Sequence, residues 1–145
     1  PSGLSLGHDI TERVTRAGGA ALIIDFVSES RSFSLQAVSG HRYHDALVAP
    51  GTADLACAVD FGALSEVART AGGLVHGPFS QGAFLESLGI GMRAARLAAG
   101  ADTEALRMIH SARRRLTAPS LMGQLFQVMA ITSGRLDSVA GVVRT

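Results

Sequence analysis

Three carboxylates, a histidine and an amide stand where this chain could do chemistry: Asp25, His41, Asp54, Asp60 and Gln81. Carboxylates hold cations and take up protons, and histidine moves protons near neutral pH. Asp25 closes the apolar run Ala20-Ala21-Leu22-Ile23-Ile24. Ligands of open α/β sheets sit outside the carboxyl ends of strands, so Asp25 is placed to bind substrate or orient a catalytic group. A solvated or loop-capping acid is its plainer reading. His41-Arg42-Tyr43-His44-Asp45 packs two histidines and an acid into five residues. Its H-x-x-H-D spacing is not a zinc signature and would need further ligands. A loop hydrogen-bonding cluster, a substrate-side His41 and a metal-dependent hydrolase built on His41, His44 and Asp45 are the readings it leaves open. Asp54 follows the turn Pro50-Gly51 and has no evident structural duty, whereas Asp60 suits capping the helix after it.

The elements that must position these groups follow from period and punctuation. A short apolar run with a β-branched pair reads as a strand over Ala20–Asp25, and one apolar on both faces belongs inside a parallel α/β layer. Ahead of it, Asp9 caps a helix over Ile10–Arg16, with residues 1–8 as loop and Gly18-Gly19 as the stop. Val27 to Ala53 shows no sustained period, and so long a loop is more often functional or interacting than incidental. Asp60 then caps a helix over Phe61–Thr70, with Leu64, Val67 and Ala68 as its buried stripe and Ala71-Gly72-Gly73 as its end.

Leu74–His76 reads as a short strand running into Gly77-Pro78-Phe79-Ser80-Gln81-Gly82. That turn could offer backbone N–H groups to a carboxylate, but it is neither G-x-G-x-x-G nor a P-loop. Ser80 caps a helix from Gln81 to Leu88, which puts Gln81 at the same entry as a substrate-side candidate. Helices follow over Gly91–Ala99 and from Asp102-Thr103 onward, the latter with Leu106, Ile109, His110 and Leu116 on its apolar side. Arg113-Arg114-Arg115 suits the negative end of that helix better than nucleic acid. Pro119 starts a turn, Leu125–Ile131 reads as a strand, and Val139–Val143 as one more short strand.

Composition narrows the function classes. The 145 residues fit one domain, and 13 basic against 12 acidic residues leave +1, too little field to draw in nucleic acid or an anionic membrane. All the basic residues are Arg, as in a GC-rich genome. The lone Cys57 rules out an intrachain disulfide and favours a reducing compartment. No apolar run reaches the roughly 18 residues of a membrane span. Neither Cys57 nor Ser2 and Ser5 stand in a nucleophile motif such as G-x-S-x-G. The start Pro1-Ser2-Gly3, without Met or a signal region, is read as the point where an upstream portion has been removed.

From His41 to Ile90 the chain reads H-x-x-H-D-A-L-V-A-P-G-T-A-D-L-x-x-x-V-D-F and then G-P-F-S-Q-G-x-F-L-x-x-L-G-I. This resembles the S-adenosylmethionine-dependent methyltransferase family of bacterial MidA-like proteins and the mitochondrial complex I assembly factor that methylates arginine. Gly18-Gly19-Ala20-Ala21-Leu22-Ile23-Ile24-Asp25-Phe26 is similar to that family's G-G-x-x-L-x-x-D-Y-G strand. Met122-Gly123-Gln124-Leu125-Phe126-Gln127-Val128 is similar to its M-G-x-L-F-K-V segment. The chain departs at Phe26-Val27 for Tyr-Gly, Ala56 for Thr and Gln127 for Lys.

The resemblance, over roughly Asp9 to Ile131, implies an α/β fold in which residues 1–145 are the carboxyl-terminal half of a seven-stranded Rossmann-like methyltransferase sheet with added helices. Ala20–Asp25 would be its fifth strand, and the strands near Leu74 and Leu125 its final antiparallel pair. The Gly-rich loop and the ribose-binding acid for S-adenosylmethionine are expected upstream, with no cofactor-binding residue and no metal site in this chain. Asp25, Asp54 and Asp60 could hold and deprotonate a guanidinium, with His41 as an orienting or relay group and Gln81 beside the acceptor; no catalytic residue is assigned. The implied partner is a protein substrate, a respiratory-complex subunit among the candidates, with homo-oligomers, the bacterial cytoplasm or the mitochondrial matrix as the setting. A non-catalytic assembly module is the alternative.

Overall fold

The computed structural model describes residues 2–27, 35–134, 136 and 139–141. Helix α1 (Gly3–Ala17) leads into strand β1 (Ala20–Phe26). Strands β2 (Gln36–Ser39), β3 (Arg42–His44) and β4 (Asp54–Ala56) follow, then helix α2 (Phe61–Thr70) and strand β5 (Leu74–Ser80). Helices α3 (Gln81–Ser87), α4 (Ile90–Ala98) and α5 (Thr103–Thr117) come next. A kinked turn over Pro119–Gly123 then delivers the chain to strand β6 (Phe126–Thr132).

The result is a mixed α/β architecture with two small sheets, one ordered β1-β6-β5 and the other β3-β2-β4, and every pairing among the described residues is antiparallel. The antiparallel β5–β6 pair agrees with the expectation for the strands near Leu74 and Leu125. The parallel layer expected around β1 does not form within these residues. β1 pairs β6 on one side, has no partner on the other among the described residues, and leaves Leu22 and Ile24 about half exposed. Because β1 and β5 both run against β6, they point the same way and end at the same edge of the sheet.

The core lies between this sheet and the helices α1 and α2. Phe61, Leu64 and Ala68 of α2 pack on Met129 and Ile131 of β6, all nearly inaccessible to solvent. Each large side chain buried this way contributes about 1.5–3 kcal/mol. Ser65, not Val67, joins the buried stripe. Its hydroxyl donates to the Phe61 carbonyl at 2.6 Å and lies 3.1 Å from Met129 Sδ. The paired glycines that stop α2 have different tasks. Gly72 adopts φ 84°, the left-handed conformation of a helix stop, while a Cβ on Gly73 would stand 2.6 Å from Thr11 Cγ2 and 2.8 Å from Ile131 Cγ2.

Several elements differ from expectation, each for a tertiary reason. α1 starts seven residues earlier than the Ile10 start expected from an Asp9 cap, because Ser2 is its N-cap and accepts from the Ser5 N–H at 3.2 Å. Gly3 and Gly7 look unlike helix residues, but Gly7 is buried against the Leu64 side chain, so helix packing outweighs propensity. Of the long segment without a period, 28–34 lies outside the described residues, 36–44 form the β2–β3 hairpin, and 45–53 are turns that lead into β4. β5 continues through Gly77-Pro78, a cis peptide at an irregularity in the pairing, instead of ending at His76. His110 is exposed, not on a buried face, and Val139–Gly141 is not a strand, residues 142–143 being outside the described residues.

Two substitutions separate these contributions. Met129→Ala should lower the unfolding free energy by about 2–4 kcal/mol through the cavity it leaves. Gly73→Ala should cost about 1–3 kcal/mol by overpacking. Urea denaturation of each variant measures both, and Gly73→Ala without effect would mean that α1, α2 and β6 do not meet as closely as described.

Candidate functional site

The shared carboxyl edge of β1 and β5 brings together Asp25, Ser80 and Gln127, while His76 and Thr132 meet at 2.9 Å toward the other end of the sheet. Asp25 of β1 and Ser80 of β5 both stand opposite Gln127 of β6, making one row across the three strands. Residues directly opposite in antiparallel strands share a face, with Cβ atoms about 5 Å apart. Asp25 has the same parity as Ile23 and Ala21, so this row continues the face that packs on α1 and α2. Asp25 is half-buried, and its Oδ1 accepts the Phe26 N–H at 2.8 Å. The Gln127 amide has no hydrogen-bond partner among the described residues, while the Ser80 hydroxyl accepts from Ala83 N–H as the cap of α3. Below the row, Phe26 and Phe126 meet edge to face with centroids 6.2 Å apart.

Asp60 joins the same neighbourhood through the backbone. The Val59 N–H donates to the Phe26 carbonyl at 3.1 Å, so the residue after Asp25 and the residue before Asp60 are tied together. Asp60 caps α2, its Oδ1 accepting from Ala63 N–H at 2.9 Å. That leaves the second carboxylate oxygen at the positive end of a helix, where negative charge is favoured. Beside it, along the unpaired side of β1, opens a mostly apolar cavity of about 470 Å³ walled by Leu4, Leu6 and Ile10 of α1, Ile23, Cys57 and Asp60.

The other candidates lie elsewhere. His41 is the second residue of the two-residue β2–β3 turn, where Gly40 and His41 adopt φ 56° and 61°, and it is exposed. Left-handed backbone at both positions is what a tight hairpin requires, so its first duty is conformational. Asp54 is exposed and pairs with Val38 on the other side of β2, so the second sheet carries His41 and Asp54 together. Gln81 is buried, and its Nε2 donates to the Leu116 carbonyl at 2.9 Å, clamping α3 to the end of α5. The structure therefore groups Asp25 with Asp60 and His41 with Asp54, and sets Gln81 apart as a packing residue. Gln127 and Ser80 were not among the sequence candidates. Their place follows from strand register, although Gln127 stands at the departure from Lys in the M-G-x-L-F-K-V pattern.

The histidine cluster is satisfied locally. His44 Nδ1 lies 2.7 Å from the Asp45 carbonyl, and Asp45 Oδ1 accepts from Leu47 N–H at 2.9 Å. Among the described residues His41, His44 and Asp45 do not converge, and the one grouping with clustered ligand atoms is the exposed His8, Asp9 and Glu12 on α1. Gly18-Gly19 precede β1, and Gly82, in the first turn of α3, serves packing, since a Cβ there would lie 2.6 Å from the Thr117 carbonyl oxygen. No helix of the described residues is long and apolar enough to cross a membrane.

Known proteins match this arrangement. The chain is 38% identical over 130 residues to the mitochondrial protein arginine methyltransferase NDUFAF7 homolog of Drosophila melanogaster, covering 88% of this chain and 30% of that protein. It is 36% identical over 128 residues to mitochondrial protein arginine methyltransferase NDUFAF7 of Mus musculus, covering 86% and 29%. The chain thus spans under a third of the length of these curated relatives. A crystal structure of an uncharacterised COG1565 superfamily protein from Burkholderia thailandensis superposes with a TM-score of 0.86 at 27% identity, over 97% of this chain and 39% of that one. A second superfamily member from that organism, bound to S-adenosyl-homocysteine, gives 0.84 at 26% identity, over 95% and 37%. Residues 2–79 match the family described as "Putative S-adenosyl-L-methionine-dependent methyltransferase", and the chain belongs to that family.

Proposed function

We propose that this chain is the carboxyl-terminal part of a methyltransferase that uses S-adenosylmethionine to methylate arginine in a protein. The observation that carries the reading is the 38% identity to an arginine methyltransferase along 88% of the chain. The unpaired edge of β1 supports the half-domain arrangement, for it offers a place to a fourth strand of a seven-stranded sheet. The Gly-rich loop and ribose-binding acid would belong to the segment carrying that strand. S-adenosylmethionine would supply the electrophilic methyl group there, and the residues described here would serve the acceptor.

A guanidinium on its way to methylation must be held, oriented and relieved of one proton. Asp25 and the outward oxygen of Asp60 would hold the cation at the carboxyl edge of the sheet, with one of them taking the proton. The Gln127 amide would orient them from the facing strand. The β2–β3 hairpin, with His41 and Asp54, would form the outer rim that receives the acceptor polypeptide. Following the resemblance to the assembly-factor family, that acceptor would be a respiratory-complex subunit, met in the mitochondrial matrix of a eukaryote or the cytoplasm of a bacterium. The second reading, a non-catalytic assembly module, is favoured by the structural duties that His41, Asp60 and Gln81 already discharge.

Three measurements separate these readings. Calorimetric titration should show S-adenosylmethionine binding to a protein of family length and not to residues 1–145 alone; binding to neither would favour the assembly module. In the family-length protein, Asp25→Asn should slow methyl transfer about 10²–10⁴-fold. Asp60→Asn retains a good N-cap, so it should leave the melting temperature almost unchanged while lowering activity, and Asp60→Ala should also cost about 1 kcal/mol of stability. Equal activity of Asp60→Asn and wild type would reduce Asp60 to a cap. Residues 1–145 alone should self-associate in sedimentation runs through the unpaired β1 edge. A monomer with fully cooperative unfolding would count against the half-domain arrangement.

A further inference from the structure

We infer that the outer face of the α4–α5 hairpin is a docking surface for an acidic, amphipathic helical segment of a partner protein. Residues 90–117 hold six arginines and only two acids, a net +4, while the other 117 residues hold seven arginines and ten acids, a net −3. A chain that is nearly neutral as a whole is therefore strongly polarised. α4 and α5 pack against one another, yet neither contains a buried residue, and Met92 and Met108 are 78% and 65% exposed.

The arginines divide by partner. Arg107 pairs with Glu104, and Arg113 with Glu86 at 3.0 Å. Arg93, Arg96, Arg114 and Arg115 make no ion pair among the described residues and are exposed. Between α5 and the Pro119–Gly123 turn lies an open groove of about 610 Å³. Its floor is Met108, Ala112, Leu116 and Met122; at its margins stand the unpaired Arg115 and Arg107, the latter paired with Glu104, which also lines the groove. Apolar anchors at i, i+4 and i+8 along α5 suit a helix laid into the groove, and methionine adapts to a varied apolar face. The unpaired Arg115 at the margin, with the unpaired Arg114 next to it in sequence, calls for carboxylates on the polar face of that occupant.

Nucleic acid fits this face less well. Phe84 and Phe126 bracket a stretch, 85–125, without a Phe, Tyr or Trp, which leaves His110 as its one aromatic ring for base stacking. The inference does not depend on methyl transfer, and its readout is binding.

The test uses a fluorescein-labelled 16-residue peptide with Leu at helical i, i+4 spacing and Glu elsewhere, titrated by anisotropy. The proteins are the 145-residue chain and the family-length protein. Binding should weaken with added salt, and a scrambled peptide of the same composition should bind more weakly. Arg114→Glu/Arg115→Glu should weaken binding by about tenfold or more. Met108→Glu, at an exposed position, should weaken it with the circular dichroism unchanged, which keeps the test valid if the double reversal misfolds. Arg13→Glu/Arg42→Glu, away from the groove, should not weaken it. The inference is overturned if neither protein binds the peptide or if Met108→Glu binds as wild type does. Tighter binding of a 16-nucleotide DNA strand or of phosphatidylserine vesicles would overturn it too. So would binding by the short chain alone, which would show that the face is covered within the longer protein.

Discussion

Strand β6 is the constraint on which the rest of the molecule depends. Val128 to Thr132 are essentially inaccessible to solvent, and this strand alone joins β1 to β5. Its alternate side chains serve two layers at once. Met129 and Ile131 close the core against α2, while Val128 and Ala130 are buried on the opposite face, where α3 packs against β5 and β6. By running against both neighbours, β6 also makes the carboxyl ends of β1 and β5 coincide. The polar row of Asp25, Gln127 and Ser80 is a consequence of that register.

The acids near this edge are held in place by backbone N–H groups. Asp60 spends one oxygen on the first turn of α2, and its other oxygen has no hydrogen-bond partner among the described residues. Asp25 spends one on its own neighbour's N–H, which restrains its rotamer. Carboxylates immobilised this way bind a planar cation at less entropic cost than free side chains would. Gln81 lies at the other extreme, with its amide drawn into the clamp between α3 and α5.

What could be read directly from the sequence was whatever is encoded over a few residues. α2 was legible from end to end, because Asp60 caps it and Gly72-Gly73 stops it within a single local pattern. α5 was legible from Asp102 and its helical period. α1 was not, since Gly7 signals weakness locally and is there to admit Leu64 from a helix more than fifty residues away. The β2–β3 hairpin was hidden because its turn puts a histidine where asparagine or glycine is the usual sign. Asp25 and Asp60 could be proposed from position alone. Their grouping with Gln127 could not, because it depends on pairing between segments about a hundred residues apart.

That separation bears on how the molecule is made. The strand at the centre of the sheet is synthesised after both of the strands it joins. On a ribosome, β1 and β5 must wait with their backbone edges bare for the whole α3–α5 stretch to emerge, since the contacts that tie them are among the longest in the chain. The nascent protein is therefore most vulnerable to mispairing before β6 emerges, and the helices made in that interval shape the space β6 must enter.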